Sequence, residues 1–151
     1  MFMKIRENFL LSGESLYRFL PHRPPVFLVD RYYGRDQEAS YTGYIPETGS
    51  LFCPDDVFLE EGLIEHMAQS VALAAGVENV ERGNGIVPGY IGSVSSLTIH
   101  GIIGAGDSLY TAISEIHKFP SFSVILAKTF IRGIMIAQGE LMVVRFNEAG
   151  A

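Results

Sequence analysis

Apolar positions in the stretch EEGLIEHMAQSVALAAG, residues 60–76, recur at helical spacing. Leu63, Ile64, Met67, Val71 and Ala75 fall three to four residues apart, as on one buried stripe of a helix. The positions between them carry Ala68, Ala72, Leu73, Ala74 and Gly76. The pattern therefore predicts a helix covered on most of its sides, with Ala72 and Ala75 almost fully buried. Into this surface the chain sets Glu65 and His66, with Gln69 one turn beyond Glu65. A carboxylate in apolar surroundings is costly unless something pairs with it or uses it. These three residues are the first candidates for function.

The rest of the chain is strand-like, with one short exception. GESLYRFLP, residues 13–21, predicts a short helix closed by Pro21, with Leu16, Phe19 and Leu20 as its apolar contacts. VFLVDRYY (26–33) has the β-branched and aromatic content of a strand, and EASYTGYIP (38–46) alternates like its antiparallel partner. TGSLFCPDD is a loop whose Asp55 and Asp56 are placed to cap or charge-complement the long helix. Gly83, Asn84 and Gly85 end that helix, and Pro88 forbids its resumption. Strand-like runs follow at 90–100, 108–118, 122–133 and 139–146, with turn signals at Gly101 to Gly106, Pro120-Ser121 and Gln138-Gly139. Adjacent strands with one segregated helix indicate an α+β domain. The small residues of the helix allow an antiparallel sheet to curl closely around it, and no linker divides residues 1–151.

Composition narrows the chemistry. The 151 residues are 48% hydrophobic and 19% charged, enough to bury a real core. A net charge of −6 and a pI near 5.1 argue against a nucleic-acid surface. If a substrate rides on an acidic carrier protein, the few basic residues should gather near one entrance. The single Cys53 excludes an internal disulfide, and four dispersed histidines offer no metal spacing. No metal or redox cofactor is implied. No run approaches the roughly 18–20 apolar residues of a membrane span. The N-terminal stretch has neither a continuous apolar region nor a small-residue cleavage site, so a cytoplasmic protein is expected.

Three blocks carry a resemblance. LPHRPPVFLVDR (20–31) resembles the opening of bacterial 3-hydroxyacyl-acyl-carrier-protein dehydratases (FabZ-like), which have the hotdog fold: a sheet wrapped around one long central helix. IEHMAQ (64–69) resembles their central-helix EAMAQ, and GDSL (106–109) stands where they carry a Gly-Asp turn. Coupling of LPHRPP to an IE-x-MAQ helix resembles most closely the ApeP-like branch associated with aryl polyene biosynthesis. The chain also departs from the pattern. The familiar catalytic histidine, fourteen residues before the helix glutamate, is replaced by Leu51, and no histidine lies between His22 and His66. The Pro-Gly before the family's helix is replaced by Leu59-Glu60.

The resemblance implies elimination of water from a 3-hydroxyacyl thioester, giving a trans-2-enoyl thioester, in fatty acid or polyene biosynthesis. That reaction needs a base for the C2 proton and an acid for the departing C3 hydroxyl. Glu65 is the candidate acid or base. The second group is open, with His22 and His66 as the histidines near the matched blocks. Gly62 lies near enough to the helix start to admit a thioester close to the backbone, so Gly62, His66 and Gln69 are candidate substrate contacts. His22 also reads as a loop anchor, His66 as a packing residue, and Gln69 as the group that orients Glu65. Cys53 reads as an apolar filler and Ser108 as a strand residue rather than a nucleophile. Tyr32, Tyr33, Tyr41 and Tyr44 are expected on the sheet faces. The implied partners are an acyl thioester on acyl carrier protein or coenzyme A and a second hotdog chain, as homodimer or heterodimer. The edge strand near 90–100 is expected to pair across the interface. A non-catalytic subunit supporting an active homologue, or a hotdog acyl thioesterase, are the alternatives.

Overall fold

The computed structural model describes residues 3–84 and 89–145. Seven strands form one antiparallel sheet: β1 (Leu11–Ser12), β2 (Arg31–Arg35), β3 (Ser40–Tyr44), β4 (Gly89–Ile99), β5 (Leu109–Lys118), β6 (Phe122–Ile131) and β7 (Ile134–Arg145). Their order across the sheet is β1-β2-β3-β5-β6-β7-β4. A 3-10 helix, Gly13–Arg18, precedes β2, and one long helix, α1 (Glu60–Glu81), separates β3 from β4. This is the hotdog arrangement expected from the sequence.

Alternation along the strands builds two apolar layers. Leu109, Ile113, Ile125, Ala127, Ala137 and Leu141 face the helix and pack with Leu63, Met67 and Val71. On the opposite face Tyr33, Tyr41, Tyr110 and Phe130 are covered in part by Met3 and Ile5. A third cluster joins Leu16, Phe19 and Leu20 to Leu73 and Val77 of the helix. There the chain needs a glycine: a Cβ on Gly76 would stand 2.1 Å from the Phe19 carbonyl oxygen. All four of Tyr32, Tyr33, Tyr41 and Tyr44 are buried in the sheet's surroundings.

Several local expectations change. Gln138 and Gly139 lie inside β7, paired with Lys128 and Ala127, and the actual turn is Arg132-Gly133. Both turn residues have positive φ, 52° and 80°, as a tight two-residue hairpin turn requires. Gly139 serves a close approach instead, because a Cβ there would meet Leu97 at 3.2 Å. Asp55 and Asp56 do not cap α1; its N-cap is Leu59 with no side-chain bond, and Asp56 accepts from the Thr48 hydroxyl. Gly83 closes the helix, its N–H donating to the Val80 carbonyl, while Gly85 and Pro88 lie outside the described residues.

The helix is also less enclosed than its pattern predicts. Ala75 is exposed, and Ile64, Glu65, Ala68 and Ala72 are only partly buried. Ile64, Ala68, Ala72 and Ala75 follow one another at three-to-four spacing, with Glu65 three before Ala68, and form one face that the sheet does not cover. The expected burial of Ala72 and Ala75 fails because the sheet curls around the other sides of α1.

Candidate active site

The segment 26–30, expected to be strand, begins its ladder only at Arg31. Asp30 bonds to main chain, its N–H to the Gly43 carbonyl and its carbonyl to the Gly13 N–H, but Val26 and Leu28 are bound by α1 side chains. The Leu28 N–H donates to Gln69 Oε1 at 2.7 Å, and Gln69 Nε2 donates to the Val26 carbonyl at 2.9 Å. His66 Nδ1 lies 2.7 Å from the Leu28 carbonyl. Polar residues three apart on a helix thus stand where a neighbouring strand would. That accounts for His66 and Gln69, two of the three candidates in the apolar run.

His66 is fully buried, and its other nitrogen, Nε2, lies 2.8 Å from the Thr111 hydroxyl. A carbonyl only accepts, so Nδ1 carries the proton and Thr111 donates to Nε2. Thr129, 2.8 Å from Thr111, extends the row. Burial lowers the His66 pKa to about 4, with the bond to Leu28 opposing it, so the ring is neutral at pH 7. Both ring nitrogens are engaged, which leaves none for a substrate. His66 acts as a structural tie.

Glu65 differs. It is half-buried on the uncovered face of α1, and its Oε1 accepts from Gln69 Nε2 at 2.9 Å. The Gln69 amide is fixed in orientation, since Oε1 must face the Leu28 N–H while Nε2 faces two acceptors. Glu65 therefore keeps one oxygen committed to Gln69 and the other, Oε2, available. Gly62 offers no access: a Cβ there would lie 2.6 Å from both Phe52 Cβ and the Phe58 ring, so aromatic groups already fill the space over its Cα. The expected thioester contact with Gly62 gives way to this packing.

No hydrogen bond joins His22 to Glu65 among the described residues. Its Nδ1 is buried with no hydrogen-bond partner among the described residues. The loop is anchored by the next residue, as Arg23 Nη1 donates to the carbonyls of Leu20 and His22 at 3.0 and 2.8 Å. Among the described residues no group of three or more His, Cys, Asp or Glu side chains converges as a metal site.

Beside this arrangement runs a cleft of about 460 Å³, lined by Pro24, Pro25, Phe27, Tyr44 and Leu51, with Asp30 and Glu47 also on its wall. Leu51, at the position of the familiar histidine, is 55% exposed at its rim. Asp30 accepts from Arg31 Nε at 2.8 Å and from the Ile45 N–H at 3.0 Å. Burial nevertheless raises its carboxyl pKa, against the lowering by Arg31. Tyr44 is pushed up to about 12, mainly by burial and then by Asp30 and Glu47. The sequence gives Tyr44 only a packing place on the sheet and does not single out Asp30, although Asp30 stands inside the LVDR block; the missing signal is the turn that brings residues 44–51 against 24–30.

Comparison with known proteins agrees with this architecture. The family model described as ApeP-like, ApeP dehydratase, matches residues 14–150. A chain of the dehydratase heterocomplex ApeI:P from Xenorhabdus doucetiae superposes with a TM-score of 0.79 at 18% identity, over 94% of this chain and 95% of that one. The PaaI protein from the phenylacetic acid degradation operon of E. coli gives a TM-score of 0.61 at 11% identity, over 76% of this chain and 81% of its own. A hypothetical thioesterase from Streptococcus pneumoniae, solved with coenzyme A, gives 0.61 at 10% identity, over 77% and 84%. At these identities the structures share the fold. No curated protein sequence matches the chain. With the family model spanning nearly the whole sequence and the hotdog fold in common, this chain belongs to the ApeP-like dehydratase family.

Proposed function

We propose that the chain is one half of a two-chain 3-hydroxyacyl-thioester dehydratase, in which it supplies Glu65 and a second hotdog chain supplies the other acid–base group. The observation that carries this reading is the state of Glu65. It is the carboxylate of the matched helix block, fixed through one oxygen by a buried amide, and set on a helix face that this chain leaves uncovered. Its expected histidine partner is replaced by the exposed Leu51. The likeness to a chain of a dehydratase heterocomplex supports a partner of the same fold.

The chemistry assigns each proton. Removal of a C2 proton and loss of the C3 hydroxyl as water convert the 3-hydroxyacyl thioester to the trans-2-enoyl thioester. Glu65 Oε2 takes the C2 proton or delivers one to the departing hydroxyl, and the partner's group does the other task. Gln69 holds the carboxylate in one orientation through both steps, which lowers the cost of positioning it. The acyl group rides on acyl carrier protein or coenzyme A, and assembly of a fatty acid or an aryl polyene is the setting that fits the family.

The test is turnover of a 3-hydroxyacyl thioester by the chain alone and mixed with a hotdog dehydratase encoded beside it. We expect activity in the mixture, and Glu65→Gln to lower it by about 10²–10⁴ while the fold is retained. Full activity of the Glu65→Gln mixture would make this chain a non-catalytic support. Free thiol without enoyl product would make it a thioesterase.

A further inference from the structure

We propose that the cleft walled by Asp30, Tyr44 and Glu47 binds a small organic ammonium ion, its charged head held by the two carboxylates and the tyrosine hydroxyl. The inference goes beyond the dehydratase reading and makes no use of Glu65.

The first observation is an idle hydroxyl. Tyr44 is 8% exposed, and its hydroxyl has no hydrogen-bond partner among the described residues. Buried polar groups are normally paired. The ring is not free to swing toward a partner, because it stacks on the His66 ring at 5.8 Å between centres and packs against Phe58 at 5.7 Å. The side chain lines the cleft, and the charges that act on its hydroxyl after burial are first those of Asp30 and Glu47, on the same wall. The hydroxyl therefore looks into the cleft, and the bond it lacks is one that a ligand there would make.

The second observation is the sign of the wall. Asp30 and Glu47 are the charged residues of the lining, which holds no lysine, arginine or histidine. Asp30 Oδ1 accepts from Arg31 Nε and Oδ2 from the Ile45 N–H, which fixes the carboxylate and leaves lone pairs on both oxygens. The Glu47 carboxylate forms no ion pair among the described residues. Its main chain is held by Ser50, whose N–H and hydroxyl both donate to the Glu47 carbonyl, at 3.2 and 2.6 Å. An ammonium group offers three N–H donors, which match two carboxylates and one phenol oxygen. An anionic head would be repelled. A hard metal ion would need more ligands, and among the described residues no three His, Cys, Asp or Glu side chains converge. Pro24, Pro25, Phe27 and Leu51 supply apolar walls, and about 460 Å³ leaves room for an apolar body beside the head.

Calorimetric titration of the intact protein at pH 7 with phenethylammonium, phenethyl alcohol and hydrocinnamate tests the assignment, since the three share a body and differ in the charge of the head. We expect the ammonium to bind about ten-fold more tightly than the alcohol at low salt, and the carboxylate most weakly. Glu47→Gln and Tyr44→Phe should each reduce the gain of ammonium over alcohol. Glu47 is exposed and phenylalanine keeps the ring contacts of Tyr44, so melting should show both variants folded. Equal binding of ammonium and alcohol, or a gain unchanged in either folded variant, overturns the proposal. Glu65→Gln should bind the ammonium as the parent does; loss of the gain there would place the cation at Glu65 and overturn it too. Binding is read without turnover, so failure of the dehydratase reading stays distinguishable.

Discussion

At the scale of single residues, the polar groups of α1 divide into two kinds. His66 and Gln69 complete the hydrogen bonding of a main-chain segment, whereas Glu65 is positioned and left with a free oxygen. The first kind makes stability depend on pH. His66 has a folded pKa of about 4 against an ordinary 6.5, so the unfolded chain binds a proton that the folded chain refuses. Its contribution is fully present above pH 6.5 and is lost as the pH falls toward 4. The expected loss is about 3 kcal/mol, read from denaturation midpoints at pH 7 and pH 4.5. Asp30 works in the opposite sense, because its raised carboxyl pKa favours the folded state as the pH falls. His66→Asn should flatten the acid limb; an unchanged limb would show that His66 titrates normally. The sequence made these residues conspicuous, since polar side chains interrupt an apolar helix. It did not reveal what they bind, because their partners are main-chain atoms 38 and 41 residues upstream.

At the scale of elements, close approach explains more than propensity does. Gly76 lets α1 touch the backbone that leaves the 3-10 helix, with no room for even a methyl group. Gly76→Ala should therefore destabilise the protein by about 1–3 kcal/mol, since backbone must move to admit the new atom. The usual gain from replacing a helical glycine by alanine would apply if the contact were loose. A thermal melt of the variant at or above the parent's would show that it is. The same kind of contact explains a misread turn. Gln138-Gly139 looks like a hairpin signal, yet Gly139 makes room for Leu97 while Arg132-Gly133 turns the chain. A glycine marks either a turn or a neighbour, and pattern alone does not separate the two. The sheet and its helix were legible because alternation and helical spacing repeat over many residues. Strand ends were less so, because the 26–28 segment has strand composition but finds its partners on a helix.

The whole molecule presents two unequal sheet edges. β1 closes one edge with only two residues, too short to recruit another strand, whereas β4 leaves eleven residues along the other. Near the end of β4 the side chains of Val57, Leu59 and Ile102 are exposed, with Ile102 79% so. An open strand beside an apolar patch calls for a second chain. We expect at least a dimer at micromolar concentration, with the β4 edge joined across the interface, measured by light scattering of this chain alone and with the second hotdog chain proposed above. A monodisperse monomer in both samples would count against it. The edge itself was legible as the run at 90–100. The uncovered face of α1 was not, because alanines that face solvent and alanines that face a sheet read alike.

The binding of Val26 and Leu28 by Gln69 has a mechanical consequence. One amide group grips residues 26–28 with two bonds and the carboxylate with a third. Rotating that amide releases all three together, so neither end can shift far while the other stays in place. The segment, which His66 also holds at the Leu28 carbonyl, and the carboxylate of Glu65 are thus linked through one side chain.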